Sequence, residues 1–210
     1  MNKLVTELIG TFFLVLTIGL AVGSGSSLAP LAIGSVLMVM VYMGGHISGA
    51  HYNPAVTLGV MMRGEIESSE AIRYMVVQVV GAALAAMASM YILGGDTFSP
   101  GVGAGHTSMQ ALLAEFLFSF ALVLVILNVA TSDATEGNSY YGLAIGFTVM
   151  AGAFAVGNVS GAAFNPAVAI GSTIIDAGMG SGSFSDIWIY LVGPFGGGVV
   201  AAMVFKFQAS

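Results

Sequence analysis

Ser48-Gly49-Ala50-His51-Tyr52-Asn53-Pro54-Ala55-Val56-Thr57-Leu58-Gly59 decides the fold, because it returns as Ser160-Gly161-Ala162-Ala163-Phe164-Asn165-Pro166-Ala167-Val168-Ala169-Ile170-Gly171 with eight of the twelve positions identical. Each copy has the grammar of a helix start. Asn is a good N-cap, and Pro is well tolerated at the first helical position, where no backbone N–H is needed. Two helices are therefore expected to begin abruptly inside an apolar chain, at Pro54 and at Pro166.

The surrounding composition names the solvent. Of 210 residues 57% are hydrophobic and only 7% charged, with a mean hydropathy of +0.97. Soluble domains carry about a quarter charged residues. There is too little polar surface to solvate a globule, and several apolar runs approach the ~20 residues that span a bilayer. An all-α integral membrane protein in contact with lipid is expected, since the alternation of a membrane β-barrel is absent. With no cysteine, disulfides and thiolate chemistry are excluded, and neither a metal nor a cofactor is expected. The formal charge of −6 argues against a nucleic-acid partner, which needs clustered Lys and Arg.

Six full spans follow from the apolar runs: about Leu4 to Val22, Leu28 to Gly45, Ala71 to Leu93, Met109 to Ala130, Tyr140 to Gly157 and Asp186 to Phe207. The first resembles a signal peptide, but its length, its lack of a convincing cleavage site and its echo later in the chain favour a retained helix. Arg63 to Ser68 reads as a polar turn, with Ser68 placed to cap the next helix. The helices at Pro54 to about Met62 and Pro166 to about Ile175 are too short to cross, the first covering only ~14 Å. Each is expected to dip in and return.

The repeat is wider than the motif. Asn53 and Asn165 lie 112 residues apart, and the same offset pairs Leu31-Ala32-Ile33-Gly34 with Leu143-Ala144-Ile145-Gly146, and Gly81 with Gly193. One channel domain over 1–210 is expected, made of two copies at approximately 1–105 and 106–210. Three crossings per copy is an odd number, so the copies are inverted and their half-helices point at each other across the midplane. Lys3, Arg63, Arg73 and Lys206 all fall on the side of the termini, so the positive-inside rule makes both termini cytoplasmic, in a plasma or inner membrane.

Two helix N-termini meeting at mid-membrane bring free N–H groups and the positive ends of two macrodipoles to one point. The preceding residues, Gly49, Ala50, His51 and Tyr52 in one copy and Gly161, Ala162, Ala163 and Phe164 in the other, cannot be helical if a new helix is capped after them, so their carbonyls are expected to be unpaired. A ladder of acceptors leading to the amides of Asn53 and Asn165 is a path for small neutral polar molecules. Cations and protons would meet a positive potential there.

Here the chain resembles a known family. Gly45 to Thr57, Ser160 to Val168 and Val192-Gly193-Pro194-Phe195-Gly196-Gly197, with the two Asn-Pro-Ala motifs at Asn53-Pro54-Ala55 and Asn165-Pro166-Ala167, are similar to the aquaporin (major intrinsic protein) family over essentially the whole chain. The resemblance implies a homotetramer with one pore per subunit, Asn53 and Asn165 donating to the permeating molecule, and Glu7 and Glu115 as buried carboxylates that hold the re-entrant loops. It also implies a four-residue constriction at the outer mouth, which falls here on Ile33, Ala153, Ala162 and Val168. Strict water channels place an aromatic, a His, a small polar residue and an Arg there. All four are apolar in this chain, and Val168 stands in the place of the Arg. The Asn-Pro-Ala-Val-Ala run resembles tonoplast-type channels, and Ala169 with the short chain argues against glycerol facilitators, whereas Leu191 stands where water channels commonly have Trp. The implied activity is passive passage of water, ammonia and hydrogen peroxide, with urea and glycerol after them.

Other readings compete. Inverted repeats with broken helices also serve ion-coupled transporters, which need titratable groups at the centre. Glu7 and Glu115 could form a proton path, but their matching places suit acceptors for loop N–H groups. His46 and His51 could pair on a metal, although an irregular chain there gives them no common face, and a bond to backbone or water suits them better. Ser48 and Ser160 lie near pore depth without partners for catalysis and are expected to pack the backbone, so no enzyme is expected.

Overall fold

In the computed structural model residues 1–208 are described, and they form an all-helical bundle. The helices are α1 (Asn2–Gly23), α2 (Ala29–Ser48), α3 (Pro54–Arg63), α4 (Ser68–Ile92), α5 (Ser108–Ala130), α6 (Tyr141–Ser160), α7 (Pro166–Met179) and α8 (Ile187–Gln208), with a 3-10 turn at Asp133–Thr135. Six of them, α1, α2, α4, α5, α6 and α8, are long and apolar enough to cross a bilayer. At 1.5 Å per residue, α3 is ~15 Å long and α7 ~21 Å, against ~30 Å of hydrocarbon.

Packing follows the repeat. α1 lies against α4 and α2 as α5 lies against α8 and α6, while α3 packs on α8 and its counterpart α7 packs on α4. The copies meet through α2 and α6, where Gly34 and Gly146 let the backbones touch. A Cβ on Gly34 would sit 2.6 Å from the Met150 Cβ and 2.7 Å from the Gly146 carbonyl oxygen. Close approach of this kind is how helices gain packing energy in lipid, where apolar side chains have no hydrophobic incentive to leave the solvent. The outward faces are apolar in the i, i+4 stripe of a helix bathed in lipid, as at Val5, Ile9 and Phe13 on α1 or Val76, Val80 and Leu84 on α4.

The element boundaries differ from expectation in places with local causes. Ser68 does not cap α4 but is its first residue, and Glu67 occupies the N-cap without a side-chain bond. α2 runs on through His46 to Ser48, so the irregular backbone begins only at Gly49. α7 reaches Met179, beyond Ile175, and ends where Gly180 and Gly182 both donate to the Asp176 carbonyl. α5 opens with a capping box, Thr107 accepting from the Gln110 N–H while Gln110 reaches back to the Thr107 N–H.

Candidate functional site

The two re-entrant segments are built residue for residue alike. α2 ends in the left-handed Gly49 (φ 86°) and α6 in the left-handed Gly161 (φ 79°). Beyond them Ala50 (φ 52°), Tyr52 (φ 49°), Ala162 (φ 51°) and Phe164 (φ 47°) are also left-handed. Such a conformation costs roughly 1–3 kcal/mol in a residue with a side chain and persists only where the surroundings impose it.

Two buried carboxylates impose it. Glu7 on α1, with no exposed surface, accepts from the Ser48 hydroxyl (2.7 Å) and the His51 N–H (3.0 Å) on one oxygen, and from the Tyr52 N–H (2.7 Å) and the Gln78 amide (2.9 Å) on the other. Glu115 on α5, equally buried, accepts from the Ser160 hydroxyl (2.7 Å), the Ala163 N–H (3.0 Å) and the Phe164 N–H (2.7 Å). Charge-assisted bonds of this type contribute roughly 1.5–3 kcal/mol each, enough to offset the strain. Both carboxylates are thus consumed by loop donors. A tyrosine closes each turn from behind, Tyr74 donating to the Ser48 carbonyl (2.9 Å) and Tyr190 to the Ser160 carbonyl (2.6 Å). Ser48 and Ser160 pack backbone, each also accepting from the N–H two residues on.

At the centre the half-helices meet N-terminus to N-terminus, and the two Asn caps cross. The Asn53 side chain accepts from the Ala55 N–H (2.8 Å) and donates to the Phe164 carbonyl (2.8 Å), while Asn165 accepts from the Ala167 N–H (2.9 Å) and donates to the Tyr52 carbonyl (2.8 Å). Pro54 and Pro166 occupy the first helical position of each half-helix, where a missing N–H costs nothing. Each Asn amide has two hydrogens. One is committed across the interface, and the second has no protein acceptor among the described residues.

This corrects the expectation of eight unpaired carbonyls. Those of Tyr52 and Phe164 are partnered by the opposing Asn, because only the last carbonyl before each cap comes within reach of the other copy. Gly49, Ala50 and His51, with Gly161, Ala162 and Ala163, keep carbonyls for which no protein donor occurs among the described residues.

Two cavities meet here. One of about 530 Å³ opens on the face opposite the termini and reaches Asn53 and Asn165 at its floor. Ile33, Ala153, Ala162 and Val168 all line it, with no Lys, Arg, Asp or Glu among its described lining residues. The other, of about 280 Å³, opens on the face of the termini between Lys3, Glu65 and Glu70. His51 and Ile126 belong to both linings and so stand between the two cavities. The His51 ring lies edge-on to Tyr74 with Nδ1 3.1 Å from the Thr57 hydroxyl, so its protein partner is a side chain rather than backbone. Gly49 lines the second cavity rather than the first. His46 is exposed on α2 and lines neither cavity, and no cluster able to hold a metal occurs among the described residues.

Several working residues escape sequence reasoning. Gln78 links Glu7 to Thr57 (3.1 Å), and the matching position in the second copy is Tyr190, so the repeat gives no hint of it. Asp176 accepts from Thr97 and Ser99 in the link between the copies. A lone carboxylate in the apolar run Ile174-Ile175-Asp176-Ala177 is the signal that could have revealed it.

Known proteins share this architecture. The model of the major intrinsic protein family matches residues 1–205. Aquaporin NIP1-1 of Zea mays is 36% identical over 214 residues, covering 98% of this chain and 74% of that protein. Nodulin-26 of Glycine max is 35% identical over 216 residues, covering 98% and 77%. The X-ray structure of the aquaglyceroporin from Plasmodium falciparum superposes with a TM-score of 0.87 over 98% of this chain and 95% of that one, a likeness of fold at 20% identity. Two opposed Asn-Pro-Ala half-helices inside six spans, matched from end to end by the family model, mean that the chain belongs to the major intrinsic protein family.

Proposed function

We propose that the protein is a passive pore for water and small neutral solutes, and that ammonia and hydrogen peroxide pass it more readily than urea or glycerol. One observation carries this reading: the cavity that ends on the two Asn amides is lined mainly by alkyl and aromatic side chains with a few neutral polar groups, and no Lys, Arg, Asp or Glu occurs among its described lining residues. Such a lining replaces the hydrogen bonds of a neutral solute in single file but offers a cation no counter-charge, and the facing N-termini of α3 and α7 add a positive potential. No group here suits covalent chemistry; the protein is a channel and not an enzyme.

Ile33, Ala153, Ala162 and Val168 form the constriction in this reading, and Asn53 and Asn165 the donors at its base. Val168 removes the bulk and charge of an arginine, which widens the mouth. Among the described residues lining the cavity there is no carboxylate, Lys or Arg, which disfavours an ion-coupled transporter, and glycerol facilitation is the nearer alternative because the filter is so apolar. The same reading takes the chain as one domain with copies meeting near 105/106, assembled as a homotetramer through its apolar lipid-facing stripes, with cytoplasmic termini in a plasma or inner membrane. Stopped-flow shrinkage and swelling of proteoliposomes with water, ammonia, hydrogen peroxide, urea and glycerol tests it. Water flux with exclusion of every other solute would refute the widened mouth.

A further inference from the structure

We propose that Phe98, supplied by the link between α4 and α5, is a specificity-determining residue of the mouth opposite the termini, and that Asp176 is the residue that positions it; the inference rests on the channel reading above. Within this link, residues 97–103 are half-buried while Gly94 to Asp96 and Ala104 to His106 are exposed. The chain dips inward, and Phe98, Ser99, Pro100 and Gly101 line the cavity.

Three attachments hold the dip. The Asp176 carboxylate, 9% exposed, accepts from the Thr97 hydroxyl (2.6 Å) on one oxygen and from the Ser99 hydroxyl on the other. The Gly103 N–H donates to the Val159 carbonyl (3.0 Å), and Pro100 abuts Gly161, where a Cβ would come within 3.2 Å of it. Asp176 is itself fixed, since its carbonyl takes the N–H groups of Gly180 and Gly182 at the end of α7. Thr97 and Ser99 face one carboxylate, and Phe98 lies between them in the chain. The Phe98 ring packs on the cluster of Val15, Ala82, Ala85, Ala167 and Val168.

The ring tip reaches the seam between α1 and α4, where a Cβ on Gly19 would lie 2.5 Å from it and equally close to Ser89, and Phe98 shares the cavity wall with Val168. Nothing in the repeat supplies this arrangement: the position 112 residues before Asp176 is Gly64. With small or apolar residues at Ile33, Ala153, Ala162 and Val168 on the same wall, the width left to a solute depends on where the segment carrying the ring is held. Releasing the segment widens the mouth and favours bulkier neutral solutes, polyols and amides, more than water.

Glycerol and water fluxes into the same proteoliposomes test this for the wild type, Phe98→Ala, Asp176→Asn, the pair Thr97→Val with Ser99→Ala, and Asp176→Asn combined with Phe98→Ala. The expected result is a several-fold rise in the glycerol-to-water ratio for each, with the combined variant no higher than Phe98→Ala alone, because both act through one ring. The paired hydroxyl variant leaves α7 intact and keeps the test valid if Asp176→Asn folds poorly. A merely structural role would lower thermal stability and leave the ratio unchanged, and that result would overturn the inference. Normal water flux with an unchanged ratio would overturn this inference alone; absence of protein-dependent water flux in the wild type would overturn the channel reading as well.

Discussion

The crossing of the two Asn side chains can be dissected at Asn53. Alanine there removes two bonds: the cap to the Ala55 N–H (2.8 Å) and the donation to the Phe164 carbonyl (2.8 Å). An N-cap contributes ~0.5–2 kcal/mol and a neutral hydrogen bond ~0.5–1.5 kcal/mol, so Asn53→Ala should cost ~1–3.5 kcal/mol. Serine keeps the cap and loses only the crossing bond, so Asn53→Ser should cost ~0.5–1.5 kcal/mol. At about 2–4 °C per kcal/mol for a chain of this size, the midpoints fall by ~2–14 °C and ~1–6 °C. Thermal unfolding in detergent, followed by far-UV circular dichroism or by the fluorescence of the single Trp188, reads both shifts. Asn165 makes the same two bonds, at 2.9 and 2.8 Å, so its variants should match within error. The double alanine variant should cost less than the sum, since each Asn fixes the residue next to the other and neighbours do not add. The reasoning fails if Asn53→Ser is as costly as Asn53→Ala, or if the double variant is strictly additive.

Val168→Arg restores bulk and charge at the cavity wall, and stopped-flow flux should show urea and glycerol falling more than water; unchanged permeabilities would place Val168 outside the constriction. Glu115→Ala leaves the Ala163 and Phe164 N–H groups without an acceptor, and at ~1–3 kcal/mol for each orphan it should destabilise by ~2–6 kcal/mol, read as the same thermal shift and as faster hydrogen exchange at those two amides. Gly34→Val drives a side chain into Met150 and the Gly146 carbonyl, an overpacking that costs ~1–3 kcal/mol or more, whereas Gly178→Ala, with no atom within 4 Å of its Cβ, should leave the midpoint unchanged or raise it.

Much of this arrangement is legible in the chain because its causes are local or periodic. Hydropathy reports which segments prefer lipid, so six spans emerge with ends a few residues off. Asn-Pro is a capping signal in itself, and an odd number of crossings per copy inverts the second one. Glu7 and Glu115 stand out because an apolar helix has few reasons to carry a carboxylate. The rest depends on residues brought together by the tertiary fold. Left-handed Ala50 and Tyr52 violate the ordinary preference for glycine and are tolerated only because Glu7 lies opposite. That Tyr52 and Phe164 carbonyls are partnered follows from the distance between the copies, which neither copy encodes alone. Thr97 to Gly103 looks like an ordinary polar link, since its anchor on Asp176 is 77 to 79 residues away.

If the proposed pore is right, two opposed half-helices whose positive ends face the centre pass water without passing protons. The direct measurement follows osmotic volume and internal pH together in proteoliposomes, with an osmotic step and a pH gradient imposed at once. Water flux should rise in proportion to the protein incorporated, without saturating, while the pH gradient decays no faster than in empty vesicles. Proton or cation leakage that grows with protein content, or water flux that requires an ion gradient, would contradict the pore described here.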